Sequence, residues 1–120
     1  MKYIRTGKNH WEGIYEVIGK QELYYLVEDE DWKDGSLIPK CNVVKQADNI
    51  LELCDVFVWD KDLCIINFYK RTLSIKGDSE YHEFDLDWCL KTSPIYGAIW
   101  TEWGLKYVAK MNENGEFELL

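Results

Sequence analysis

The chain has 120 residues, with 22 Asp and Glu against 14 Lys and Arg, a formal net charge of −8, 6 Trp and 8 Tyr. That length supports one domain burying roughly two-thirds of its unfolded surface, and 47% hydrophobic residues with two prolines argue against disorder. The acidic balance disfavours direct nucleic-acid binding and favours basic partners; no apolar run approaches the ~18 residues of a membrane span, and residues 1–8 lack the apolar core of a signal peptide, so a soluble cytoplasmic protein is expected.

Residues 2–5 read as a first strand, followed by a loop around Gly7-Lys8-Asn9 and Gly13. Residues 14–18 and 22–27 are rich in strand formers, and Gly19-Lys20 between them looks like a hairpin turn. An acidic loop over 28–34 ends at Gly35 and leads to a short strand, 36–38. Pro39 removes a backbone donor there, which marks an edge strand or a strand end.

Asn49 with Glu52 three positions later has the form of a capping box. Ile50, Leu53, Cys54 and Phe57 then fall on one helical face, which predicts the single helix of the chain over 49–58. Strands are expected at 63–69 and 72–75, ended by Gly77-Asp78. Residues 79–90 read both ways. Tyr81, Phe84 and Trp88 fit a helix, whereas Phe84, Leu86 and Trp88 fit a strand whose other face is Glu83, Asp85 and Asp87.

Three more strands are expected at 95–101, 105–111 and 116–119. Glu102-Trp103-Gly104 and Asn112-Glu113-Asn114-Gly115 join them, and Asn-Gly is a strong hairpin signal. The expected fold is therefore α+β: one domain over 1–120, in which N-terminal and C-terminal antiparallel meanders form a curled sheet packed on one helix.

No motif points to catalysis. His10 and His82 are the only histidine bases, and neither lies in a nucleophile motif such as G-x-S-x-G. Phosphate-binding glycine loops are missing as well, so the chain is read as a non-enzyme without cofactor. The acidic loop fails as a calcium site: counted from Asp29, the fifth position is Lys33, the sixth Asp34 and the twelfth Lys40. Cys41, Cys54, Cys64 and Cys89 lack metal-site spacing and sit beside apolar neighbours, so all four are expected to be buried free thiols.

Two features suggest binding instead. Asp78, Glu80, Glu83, Asp85 and Asp87 form an acidic run without Lys or Arg. In a strand, residues 83, 85 and 87 would repeat every ~6.6–6.8 Å, about two phosphate steps at ~3.4 Å each, an imitation of a nucleic-acid backbone. A solvated strand face is the plainer reading of the same residues. Trp32 and Trp103 fall at loop tips among polar neighbours and are the expected contact anchors. Tyr15, Tyr24, Trp100 and Tyr107 lie in alternating strands and are expected in the core.

The stretch from Tyr96-Gly97-Ala98-Ile99-Trp100 through Trp103-Gly104-Leu105 to Lys110-Met111-Asn112 resembles the C-terminus of small prophage and mobile-element proteins of low-GC Gram-positive bacteria. Ile14-Tyr15-Glu16-Val17, Ile38-Pro39-Lys40, Val44-Lys45-Gln46-Ala47-Asp48 and Glu52-Leu53-Cys54-Asp55 continue the resemblance, which thins out over about 60–94. It implies a phage-type accessory protein of the host bacterial cytoplasm and carries over no catalytic residue. Small acidic proteins of this kind include inhibitors of host defence, anti-CRISPR proteins among them. The resulting expectation is an inhibitor that binds a basic surface of a defence nuclease, using Glu80, Glu83, Asp85, Asp87, Trp32 and Trp103. A phage assembly protein and a nucleotide-binding protein are the alternatives.

Overall fold

Period-two alternation carries most of the chain into antiparallel strands, and the computed structural model describes residues 2–7, 12–77 and 79–120. The N-terminal part forms β1 (Tyr3–Thr6), β2 (Ile14–Lys20), β3 (Tyr24–Asp29), β4 (Trp32–Pro39) and β5 (Val43–Ala47). They make a five-stranded sheet in the order β4-β3-β2-β1-β5. The remainder forms β6 (Val56–Trp59), β7 (Asp62–Asn67), β8 (Thr72–Lys76), β9 (Tyr81–Asp85), helix α1 (Leu86–Thr92), β10 (Ile95–Thr101), β11 (Gly104–Met111) and β12 (Phe117–Leu119). These seven strands form a second sheet, β12-β11-β10-β6-β7-β8-β9.

The α+β expectation is thereby overturned: the architecture is mostly β, two antiparallel sheets with one short helix. The expected helix over 49–58 does not form. Its capping signal operates locally, since the Asn49 side chain accepts from Leu51 N at 3.0 Å, but it starts a single 3-10 turn, Ile50–Leu53. Val56 and Val58 are β-branched, and the strand they enter lies between β10 and β7, where both backbone edges gain ladder bonds. Central pairing outweighs the helical spacing.

The only α-helix among the described residues starts where the sequence is ambiguous. Asp85 ends β9 and caps α1, accepting from Trp88 N at 3.0 Å. Leu86 and Cys89, three apart, then turn into the core. Ile50, Leu53, Leu73, Ile95 and Ile99 complete the centre of that core between the seven-stranded sheet, α1 and the 3-10 turn. A smaller core of Ile4, Tyr25, Val27 and Ile38 lies within the five-stranded sheet.

Two joints tie the sheets together. Arg5 of β1 donates from both guanidinium nitrogens to Asp55, at 2.7 and 2.9 Å, and Asp55 also accepts from Trp100 N of β10 at 2.9 Å. Lys106 Nζ of β11 donates to Glu12 O at 2.7 Å. Gly97 allows the first joint to close: a Cβ there would lie 2.7 Å from Cys54 Sγ, so only glycine lets this segment lie against β10.

Candidate interaction surface

The register of β10 and β11 sets Trp100 opposite Leu105, Ala98 opposite Tyr107 and Tyr96 opposite Lys110. Residues directly opposite share a face. Because Ile95 and Ile99 point into the core, Tyr96, Trp100, Leu105 and Tyr107 lie on the outer face. The Tyr96 and Tyr107 rings stack at 4.8 Å. Trp100 remains 51% exposed and Tyr107 42%. Across β6 and β7 the same face continues through Val58 to the exposed Leu63 and Ile65.

Trp103 stands at the tip of this hairpin, 92% exposed. Its backbone is held although its ring is free. Trp103 N donates to Thr101 Oγ1 at 3.1 Å, and Thr101 Oγ1 donates to Gly104 O at 2.8 Å. Glu102 N donates to a carboxylate oxygen of Glu12 at 3.1 Å, which braces the tip against the segment leading into β2. A large aromatic ring on a fixed backbone loses little entropy on docking.

Trp32, the second expected anchor, is 66% exposed and opens β4, opposite Asp29. The acidic loop around it is shorter than expected, a two-residue turn at Glu30-Asp31. Asp29 organises this turn by accepting from Ser36 Oγ and from Asp31 N. Those hydrogen bonds, that of Ser36 first, hold its carboxyl below the usual range. Trp32 belongs to the five-stranded sheet and Trp103 to the seven-stranded one, so the two anchors stand on different scaffolds.

The acidic row breaks. Glu80, Glu83 and Asp85 are exposed, and Glu83 and Asp85 share a face of β9. Asp87 is not in that strand. It lies in α1 and pairs with Arg71 at 2.5 Å, whose hydrogen bond holds its carboxyl below the ordinary range. Asp85 is engaged as the helix cap. A carboxylate that can cap a helix competes with strand continuation, and that competition ends the row. His10 and Asp78 lie outside the described residues.

Other expectations also change. Trp100 and Tyr107 were expected in the core and are on the surface, with Tyr24 also exposed. Tyr15 is half-buried, and burial, then the Asp29 charge, pushes its phenol pKa up. Both faces of β10 are apolar, Ile-Gly-Ile on one and Tyr-Ala-Trp on the other; only the greater burial tendency of Ile hinted at which faces in. Of the four free thiols, Cys64 and Cys89 are buried, Cys54 is half-buried and Cys41 is exposed, against the expectation of four buried ones.

Between the end of α1 and β11–β12 lies a wide, open depression of ≈ 780 Å³, unlike the enclosing clefts that bind small molecules. Among the described residues, no three His, Cys, Asp or Glu converge to hold a metal, and no helix is long and apolar enough to cross a membrane. Comparison with protein-family models, curated proteins and solved structures finds no match.

Proposed function

We propose that the protein acts by binding another protein, without chemistry of its own, as a phage-type accessory or assembly factor. The observation that supports this reading is the open aromatic hairpin: Trp100 and Tyr107 on the outer face of β10–β11 and Trp103 presented at its tip. Buried aromatics contribute roughly 150–250 Å² each. With their present exposure these three and their neighbours offer on the order of 400 Å², about half of one partner's share of a standard interface. Soluble monomers seldom expose contiguous apolar area of that size without a use for it.

Inhibition of a defence nuclease is a narrower form of the same activity. Its phosphate-imitating version loses support, because Asp87 leaves the row and is neutralised by Arg71 within the chain. Docking through aromatic area depends little on salt, whereas a charged imitation is screened over ~8–10 Å at 0.10–0.15 M ionic strength. The test is capture of partners from a lysate of the lysogenic host, with wild-type protein, Trp100→Ala, Trp103→Ala and Glu83→Lys as baits at low and high salt. A partner retained at high salt and lost with either tryptophan supports aromatic docking. Release by salt and by Glu83→Lys, with both tryptophan variants binding normally, would restore the charged-mimic reading.

A further inference from the structure

We infer that the free edge of β9 accepts an extended basic strand from a partner protein. The two sheets end in four edge strands, β4, β5, β9 and β12. Exposed edges invite pairing with other chains, and folded proteins blunt them with bulges, prolines, lysines or short length. Three of the four are blunted. β4 has an irregular register against β3 and ends in Pro39. β5 carries Lys45 and shifts register against β1. β12 has three residues. By contrast β9 keeps five residues in unbroken register with β8, contains no proline, lysine or bulge, and is guarded only by the acids Glu83 and Asp85, which repel an acidic strand and attract a basic one.

The ladder shows which backbone groups are available. Gly77 N donates to Glu80 O at 2.6 Å, and Leu86 N donates to Arg71 O at 3.0 Å, so hydrogen-bonded pairs bracket β9 at both ends. Such pairs alternate along an antiparallel ladder. His82 and Phe84 therefore exchange bonds with β8, while Tyr81, Glu83 and Asp85 turn their N–H groups outward. Their spacing is the ~6.8 Å that an incoming strand matches. The carbonyls of Tyr81 and Glu83 also face out; that of Asp85 begins α1.

Charge selects the occupant. The side chains of Tyr81, Glu83 and Asp85 share the outer face and are exposed, with Glu80 just before them. Among the described residues neither Glu80 nor Glu83 has an ion-pair partner; the nearby cations are Lys76, opposite Tyr81, and Arg71, committed to Asp87. A second copy would have to pair antiparallel. The register that overlaps all three outward residues sets Glu83 on Glu83, and a shift toward α1 sets Glu83 on Asp85 or Asp85 on Asp85. A shift the other way places Glu83 on Tyr81 but keeps only two outward pairs, and the chain carries −8 overall, which opposes self-association. Like charges directly opposite disfavour pairing. A strand with Lys or Arg at every second position meets the acids instead. Its intervening residues cover the other face, where Phe84 stacks on the half-exposed Trp88 at 5.9 Å, so they should be apolar. This edge is separate from the aromatic hairpin, since β10, the hairpin's nearer strand, lies four strands away, about 19 Å at ~4.8 Å per strand.

The test uses the intact protein and a nine-residue peptide alternating Lys with Val, followed by hydrogen exchange at single residues. Saturating peptide should slow exchange of the Tyr81, Glu83 and Asp85 amides at least ten-fold and leave β4, β5 and β12 unchanged. The same peptide N-methylated on its pairing amides keeps its charge but should lose that protection. Glu83→Lys should weaken the unmodified peptide about ten-fold, because an opposite-charge pair becomes a like-charge pair. If the N-methylated peptide binds equally well, or if those three amides stay unprotected at saturation, the inference is wrong. Dimerisation of the free chain that protects the same amides would also overturn it, by making a second copy the occupant.

Discussion

Removing the Asp55 carboxylate should loosen the joint between the two sheets more than its partial exposure suggests. Asp55→Ala deletes two charge-assisted hydrogen bonds from Arg5 and one from Trp100 N, and leaves Arg5 with only a 3.3 Å bond to Leu53 O. Hydrogen bonds to charged groups contribute ~1.5–3 kcal/mol each when well enclosed, and partial solvation reduces that figure. The total loss should be about 2–4 kcal/mol, or ~8–16 °C in Tm for a chain of this length. Asp55→Asn keeps the shape and an acceptor for Trp100 N, and should lose about half as much. Chemical denaturation monitored by tryptophan fluorescence measures both. The effect has a pH signature. Hydrogen bonds from Arg5, joined by that from Trp100 N, hold the Asp55 carboxyl below its ordinary value despite partial burial. Its stabilisation is thus fully present above the unfolded value near ~3.9 and lost as pH falls through the depressed folded value. The stability gap between wild type and Asp55→Asn should begin to narrow at about pH 4 and close only below the depressed folded value. A double-mutant cycle with Arg5→Met gives the pair its own coupling, expected near ~1–2 kcal/mol. Zero coupling, or a difference between the two proteins that persists unchanged into acid, would falsify this account of the joint.

Leu53→Ala, at a fully buried position between the sheets, should destabilise by about 2–5 kcal/mol; a loss under ~1 kcal/mol in urea titration would mean the site collapses around the gap. Gly35→Ala should destabilise by more than ~1 kcal/mol, because φ is +88° and a Cβ would stand 2.5 Å from Val27 O; an unchanged melting temperature argues against that geometry. Thiol titration of the native protein near neutral pH should show one fast equivalent, exposed Cys41. Burial pushes Cys54 up to about 11 and Cys64 up to about 12, so these two, with buried Cys89, should react only on unfolding. Two or more fast equivalents would contradict that ordering.

How much of this could be read from the chain depends on whether a signal is local. The C-terminal meander was legible because its turns carry their own chemistry: Asn112 to Gly115 makes one hairpin and Glu102-Trp103-Gly104 the other, and β10, β11 and β12 fall within two residues of the expected strands. Trp103 was legible as an exposed tip for the same reason. The helix over 49–58 was misread because Asn49 does cap a turn, yet the path of residues 56–59 is decided by β10 and β7, the strands that flank them in the sheet. Residues 79–90 looked both helical and extended because they are both, in succession, with the change at Asp85. Trp100 and Tyr107 could not be placed, since both faces of β10 are apolar and only the finished fold decides which is covered. An edge strand is harder still: β9 is an edge only because no further strand is added beyond it.

The acidic charge that dominates the composition divides into two uses once the side chains are placed. Several aspartates serve the fold: Asp29 organises a hairpin turn, Asp55 joins the sheets, Asp85 caps α1 and Asp87 meets Arg71. Short carboxylates suit such work, because they reach nearby backbone N–H groups and tolerate turns. Glu80 and Glu83 are left without internal ion-pair partners among the described residues. Two of the unpaired carboxylates thus stand at or beside the β9 edge, away from the aromatic hairpin. Charge at that edge can select and align a strand, while aromatic area on β10–β11 supplies contact that salt does not screen. A partner using both would show salt-sensitive association and dissociation governed by Trp100 and Trp103, a division that stopped-flow binding at two ionic strengths resolves.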